Sequence, residues 1–149
     1  MKIERDKKEW TKFNIPRSLE ARIVNRGANA SFEQELGAQR ENEINLKMQE
    51  ILNRIDQTAR RLKERLSLQD LMLYKKLVKA FLEEAIARAY LLKRERSRSR
   101  RGRTILITVE TVDRELEELI NEFVLNKAEP VAILDKLDKI RGMLVDLMI

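Results

Sequence analysis

Ser67-Leu68-Gln69-Asp70-Leu71-Met72-Leu73-Tyr74-Lys75-Lys76-Leu77-Val78-Lys79-Ala80-Phe81-Leu82 is the stretch on which the fold turns. Leu71, Tyr74, Leu77, Val78, Phe81 and Leu82, continued by Ala85, Ile86, Ala89 and Leu92, recur every three or four residues. That is the period of a helix, and the stripe is the broadest apolar one in the chain. Ser67 predicts where the helix starts. Its hydroxyl oxygen suits a helix N-cap, and Asp70 stands where a capping box places its acid.

Upstream, Ile44, Met48, Ile51, Leu52, Ile55, Ala59, Leu62 and Leu66 mark one face of a second helix. The turn before Ser67 is short, so the two helices should pack antiparallel as a hairpin. Ser31-Phe32-Glu33-Gln34 reads as a capping-box start for the first of them. From there to Leu66 a helix would be about 54 Å long, against a radius of gyration near 15 Å for a compact chain of this length. An elongated bundle, a break near Gly37 or a second subunit would each reconcile the two.

Before Ser31 no apolar period is sustained. Trp10, Phe13 and Ile15 stand among charges, Pro16 blocks a helix, and Gly27-Ala28-Asn29 reads as a loop. Residues 1–30 are therefore expected to form a flexible or loosely docked arm, anchored by Trp10 and Phe13, and residues 31–149 one helical domain.

Downstream, Thr104-Ile105-Leu106-Ile107-Thr108-Val109 supports two readings. Its β-branched residues favour an extended lead-in, with a helix starting near Thr111 to Asp113. The spacing of Ile105, Val109, Val112, Leu116, Leu119 and Phe123 instead suits one helix running into Val124. The extended reading is preferred. Pro130 suits the first turn of a last helix carried by Val131, Leu134, Leu137, Leu144 and Leu147. Gly142 inside it costs about 1 kcal/mol against alanine; either close approach of a neighbouring helix compensates, or the glycine sits neutrally on the surface. The expected fold is all-α: a long antiparallel hairpin plus two shorter C-terminal helices, a four-helix bundle or array.

The chain of 149 residues has no cysteine and no histidine. Disulfide and thiolate chemistry are thus excluded, together with the usual base near neutral pH and the commonest transition-metal ligand. Gly27, Gly37, Gly102 and Gly142 are too scattered for a dinucleotide fingerprint or a phosphate loop. Glu83-Glu84 and Glu117-Glu118 read as solvated helix faces. No residue is nominated as catalytic, cofactor-binding or metal-binding, and an enzyme is not expected. The charged N-terminus lacks the apolar core of a secretory signal, and no apolar run approaches the roughly 20 residues of a membrane span. A cytoplasmic location follows. The Glu/Lys/Arg-rich composition fits a thermophilic source.

Arg88 to Arg103 holds eight basic residues and one acid, a charge of +7, against +6 for the whole chain. The basicity is local. Lys93, Arg94, Arg96, Arg98, Arg100, Arg101 and Arg103 are the candidate polyanion site, because guanidinium forks pair with phosphate oxygens. The competing reading is an inter-helix loop whose arginines are solvated or neutralise the acidic face Glu115, Glu117, Glu118 and Glu122.

The run Tyr74-Lys75-Lys76-Leu77-Val78-Lys79-Ala80-Phe81-Leu82-Glu83-Glu84-Ala85 resembles the signature of the bacterial YaaR family. Val124-Leu125-Asn126-Lys127 and Ile133 to Leu147 are similar to it as well, so the resemblance spans about Phe32 to Ile149. It implies a small helical-array fold of unknown function, with no binding residue to carry over, and genes that often lie beside those of DNA replication. The arginine-rich run departs from the family pattern. The chain is accordingly read as a non-enzymatic adaptor or regulator acting on a protein partner or on a second copy as a homodimer. Nucleic-acid association through the basic segment is the alternative.

Overall fold

The computed structural model describes the backbone of residues 2–94 and 98–149 and, within these, side chains from residue 31 onward. Among the described residues there are four helices and no strand: α1 (Lys2–Glu64), α2 (Leu68–Lys93), α3 (Ser99–Val124) and α4 (Pro130–Met148). The fold is all-α. The chain divides into two compact units, Met1–Gln39 and Arg40–Ile149.

The first unit is a stretch of α1. Its backbone is helical at Pro16, at Gly27-Ala28-Asn29, at Ser31 and at Gly37, where the sequence reading has a block, a loop, a helix start and a candidate break. Pro16 withholds one backbone hydrogen bond at a cost of about 3 kcal/mol. The Glu, Lys, Arg and Ala residues in the same stretch are strong helix formers. The anchoring expected of Trp10 and Phe13 lies outside the described side chains.

The second unit is an up-down-up-down bundle, and its ion pairs give the direction of each helix. Arg61 faces Asp70 at 3.6 Å beside the α1–α2 turn, and Glu41 faces Arg88 at 3.7 Å far from it, so these helices run antiparallel. Lys79 pairs with Asp113 and, at 3.3 Å, with Glu117, which also lies 3.5 Å from Lys75; α3 therefore returns along α2. Lys136 meets Glu122 at 2.9 Å and Lys139 meets Glu115 at 3.0 Å, setting α4 against α3. Arg141 to Asp56 at 2.7 Å and Lys63 to Asp138 at 3.2 Å close α4 back onto α1.

Met48, Ile55 and Leu62 of α1 enter one core with Tyr74, Val78 and Phe81 of α2, Val112, Leu116 and Leu119 of α3, and Ile140 and Leu144 of α4. The start of α2 is as the sequence predicts: the Asp70 amide donates to Ser67 Oγ at 3.2 Å.

Thr104 to Val109 is helical, which corrects the extended lead-in. α3 begins at Ser99 and matches α2 at 26 residues, so it is not the shorter element expected. Each β-branched residue costs about 0.5 kcal/mol in a helix. Burial of Ile105, Val109 and Val112 contributes about 1.5–3 kcal/mol for each side chain. Packing wins. The threonine hydroxyls settle locally, with Thr104, Thr108 and Thr111 each donating to the carbonyl four residues back.

The turn into α4 is a Schellman motif. The Lys127 amide donates to the Glu122 carbonyl at 2.9 Å and the Asn126 amide to that of Phe123 at 3.2 Å, with Asn126 left-handed at φ 56°. Asn126→Val should therefore cost about 1–2 kcal/mol, and Asn126→Gly should be neutral or stabilising. Urea denaturation of the two variants checks this. Equal midpoints would mean that the left-handed turn does not govern the α3–α4 connection.

Candidate polyanion interface

The bundle has two chemically distinct ends. One holds the α2–α3 connection, Glu41 of α1 and the end of α4, and here the basic segment is divided between two helices. Lys93 closes α2 and lies 5.7 Å from the centre of the Tyr90 ring, within cation–π range. Arg94 is the C-cap and is exposed. Arg96 lies outside the described residues. Arg100, Arg101 and Arg103 are exposed in the first turns of α3. That helix start has no side-chain cap and no acid in its first turn, so amide partial charges add to the guanidinium charges.

Arg98 differs from the rest. It is only about one-third exposed, and its guanidinium donates to Glu41 Oε1 at 2.7 Å. The same carboxylate oxygen lies 3.7 Å from Arg88 Nε, and Arg88 is buried. The Arg88 guanidinium also donates to the Leu147 carbonyl at 2.7 Å and to the Ile149 backbone oxygen at 3.3 Å. Arg88 thus ties the end of α4 to α2, where the helix dipole favours a cation. Charge follows the geometry. The Arg98 hydrogen bond holds the Glu41 carboxyl below its ordinary range, against the pull of burial, with Arg98, Arg88 and Arg101 adding their fields. Burial lowers Arg88, and the charges of Arg101 and Arg98 add to that, while Glu41 opposes it.

Of the seven sequence-predicted residues, the structure brings Lys93, Arg94, Arg100, Arg101 and Arg103 to one exposed region and commits Arg98 to an internal pair. Among the described residues the acidic face on α3 is paired with lysines of α2 and α4. Glu115, Glu117, Glu118 and Glu122 pair with Lys139, Lys75, Lys79 and Lys136. Sequence reading missed Arg88 and Glu41. The one available signal was an arginine within the apolar stripe of α2, between Ala85 and Ala89.

The opposite end gathers the α1–α2 and α3–α4 turns and exposes several large apolar side chains among its charged ones. The pairing of Lys75 with Glu117 sets a register that brings Leu68 level with Val124. Leu68, Met72 and Leu73 at the start of α2, Val124 and Leu125 at the end of α3, and Val131 at the start of α4 are all exposed there.

Among the described residues no group of acidic side chains is placed to hold a metal ion, and no helix is long and apolar enough to cross a membrane. Fold and surface together define an all-helical bundle with a cluster of exposed cations at one end and several exposed large apolar side chains at the other. The chain belongs to the family described as protein of unknown function (DUF327), whose model matches residues 4–148. No curated protein and no solved structure gives a significant match.

Proposed function

We propose that this chain is a non-enzymatic helical protein of the bacterial YaaR type that works by contact, as an adaptor or regulator in the cytoplasm of a thermophile. The observation that carries the contact reading is the exposed apolar end. Large apolar side chains scattered singly over a surface are ordinary, but Leu68, Met72, Leu73, Val124, Leu125 and Val131 are all exposed at the helix ends that flank the α1–α2 and α3–α4 turns. A protein partner or a second copy of the chain would cover them, and residues 1–30 would serve as an arm beside the 31–149 domain. In native lysate, a partner should be captured by the wild-type protein and lost from a Leu68→Gln/Leu125→Gln/Val131→Gln variant of unchanged urea midpoint. Self-association would show as a doubled mass in light scattering, lost in the same variant. A monomeric wild type that captures no more than the variant would end the reading.

The second reading is association with nucleic acid through the basic end, and it is supported by the exposed cations around the start of α3. If Lys93, Arg94, Arg100, Arg101 and Arg103 each neutralise one phosphate, the salt slope should be near −4.5, and affinity should fall about 500-fold between 50 and 200 mM salt. Replacing those five with glutamine should remove most of the binding in electrophoretic titration. Arg98→Gln should leave the slope unchanged and lower stability instead, because its guanidinium is engaged by Glu41. No binding to generic DNA or RNA at low salt would rule this reading out.

A further inference from the structure

Among the cations of the basic end stands an exposed aromatic ring. Tyr90, in the last turn of α2, is 58% exposed, so its ring adds little to the core and keeps open surface for a stacking partner. The geometry ties this ring to the start of α3. A Cβ on Gly102 would stand 2.7 Å from the Ala89 carbonyl oxygen and 3.0 Å from Lys93 Cγ, so the first turn of α3 lies against the last turns of α2. The Lys93 stem therefore runs beside Gly102, while its ammonium is 5.7 Å from the centre of the Tyr90 ring.

The surroundings of the ring are cationic. Arg101 and Arg103 flank Gly102 in the chain and are exposed, as are Arg94 and Arg100, and none of the four has an ion pair among the described residues. Between Ala85 and Val109 the sequence holds a single acid, Glu95. Cations alone suit any phosphate backbone, single or double. The ring discriminates. In a duplex the base faces are stacked on one another, whereas a single strand can offer a base to a surface tyrosine while its phosphates meet the neighbouring cations.

We propose that the basic end binds single-stranded nucleic acid, with one base stacked on Tyr90 and the flanking phosphates held by Lys93, Arg101 and Arg103. The inference rests on the nucleic-acid reading of this end and narrows it to single strands in preference to duplex. Base sequence matters little, because every base has a π face.

Fluorescence anisotropy of the full chain with labelled oligothymidylate of about 15 nucleotides tests the proposal, against an abasic strand and a duplex of the same length. At 50 mM salt, Tyr90→Leu should weaken binding to oligothymidylate about tenfold and leave the abasic strand and the duplex unaffected. Tyr90→Phe, which keeps the π face, should bind as wild type does. The salt slope on the single strand should stay near −3.5 in both Tyr90 variants, because no phosphate contact is removed. Tyr90 is exposed, so neither substitution should move the urea midpoint appreciably. Oligothymidylate binding that is indifferent to Tyr90→Leu, or no tighter than binding to the abasic strand, would overturn the stacking inference and leave the basic-end reading standing. Displacement of oligothymidylate by polyglutamate at equal charge concentration would overturn it in favour of an acidic protein partner. No binding to any of the three nucleic acids would remove the basic-end reading and this inference together.

Discussion

Glu41→Met is expected to destabilise the bundle by about 3 kcal/mol, near the lower limit of what is lost when one partner of a buried ion pair is removed. The reason lies in what remains. Arg88 would stay buried with its guanidinium hydrogen-bonded to the Leu147 and Ile149 backbone oxygens, and would lose the carboxylate that lies 3.7 Å from its Nε. Those two bonds keep the cost from being higher. A loss of that size corresponds to roughly 10 °C in midpoint for a unit of this length. Glu41→Met combined with Arg88→Met should recover part of that loss, since no uncompensated guanidinium stays buried, but not all of it, because the Leu147 and Ile149 oxygens lose their donor and Arg98 its partner. A Glu41→Met variant as stable as wild type would show that the pair does not secure this end.

Acid should reveal the same pair. The folded-state value of Glu41 is depressed, so its contribution is complete above the ordinary carboxylate value of about 4.3 and is lost as pH falls through the folded value. Glu115, depressed by its hydrogen bond from Lys139, adds a second contribution of the same sign. Below about pH 4.5 the wild type should therefore lose stability more steeply than Glu41→Gln, with the remaining slope assigned to Glu115 and other carboxylates. Parallel curves for the two proteins would contradict the assignment.

The second large effect is a contrast between two glycines within helices. A Cβ on Gly102 would stand 2.7 Å from the Ala89 carbonyl oxygen and 3.0 Å from Lys93 Cγ. The first of these is backbone and cannot rotate away, so α3 must lift off α2. Gly102→Ala should cost about 2 kcal/mol even after the helix-propensity gain. A Cβ on Gly142 meets nothing within 4 Å, and the position is exposed. Of the two readings of Gly142, the surface glycine is the one found and the close helix approach is not, so Gly142→Ala should stabilise by about 1 kcal/mol. Identical chemistry thus separates by about 3 kcal/mol, with the sign set by the neighbour. Urea midpoints of the two alanine variants decide it, and equal shifts would refute the α2–α3 contact.

The five exposed cations of the basic end were legible in the sequence because they all fall within residues 93–103. Its charge balance was not. Glu41 and Arg98 are 57 positions apart, and no local pattern announces that they share a hydrogen bond. The apolar end is similar: Leu68, Leu125 and Val131 each look like one more helix residue until the antiparallel registers bring them together.

The helices themselves belonged to the sequence. Leu71, Tyr74, Val78, Phe81 and Leu82 declare a helical face through their spacing, and Ser67 with Asp70 declares where that helix begins, because hydrophobic period and capping act within a few residues of chain. Only tertiary structure decided that Thr104 to Val109 is helical, that Gly102 is a packing position and Gly142 a free one, that Arg98 is withdrawn from the basic run, and that the Tyr74 hydroxyl is buried without a hydrogen-bond partner among the described residues. Each of these depends on which atoms from distant parts of the chain come within a few ångströms, and a local periodicity carries the direction of a face but not the identity of what meets it.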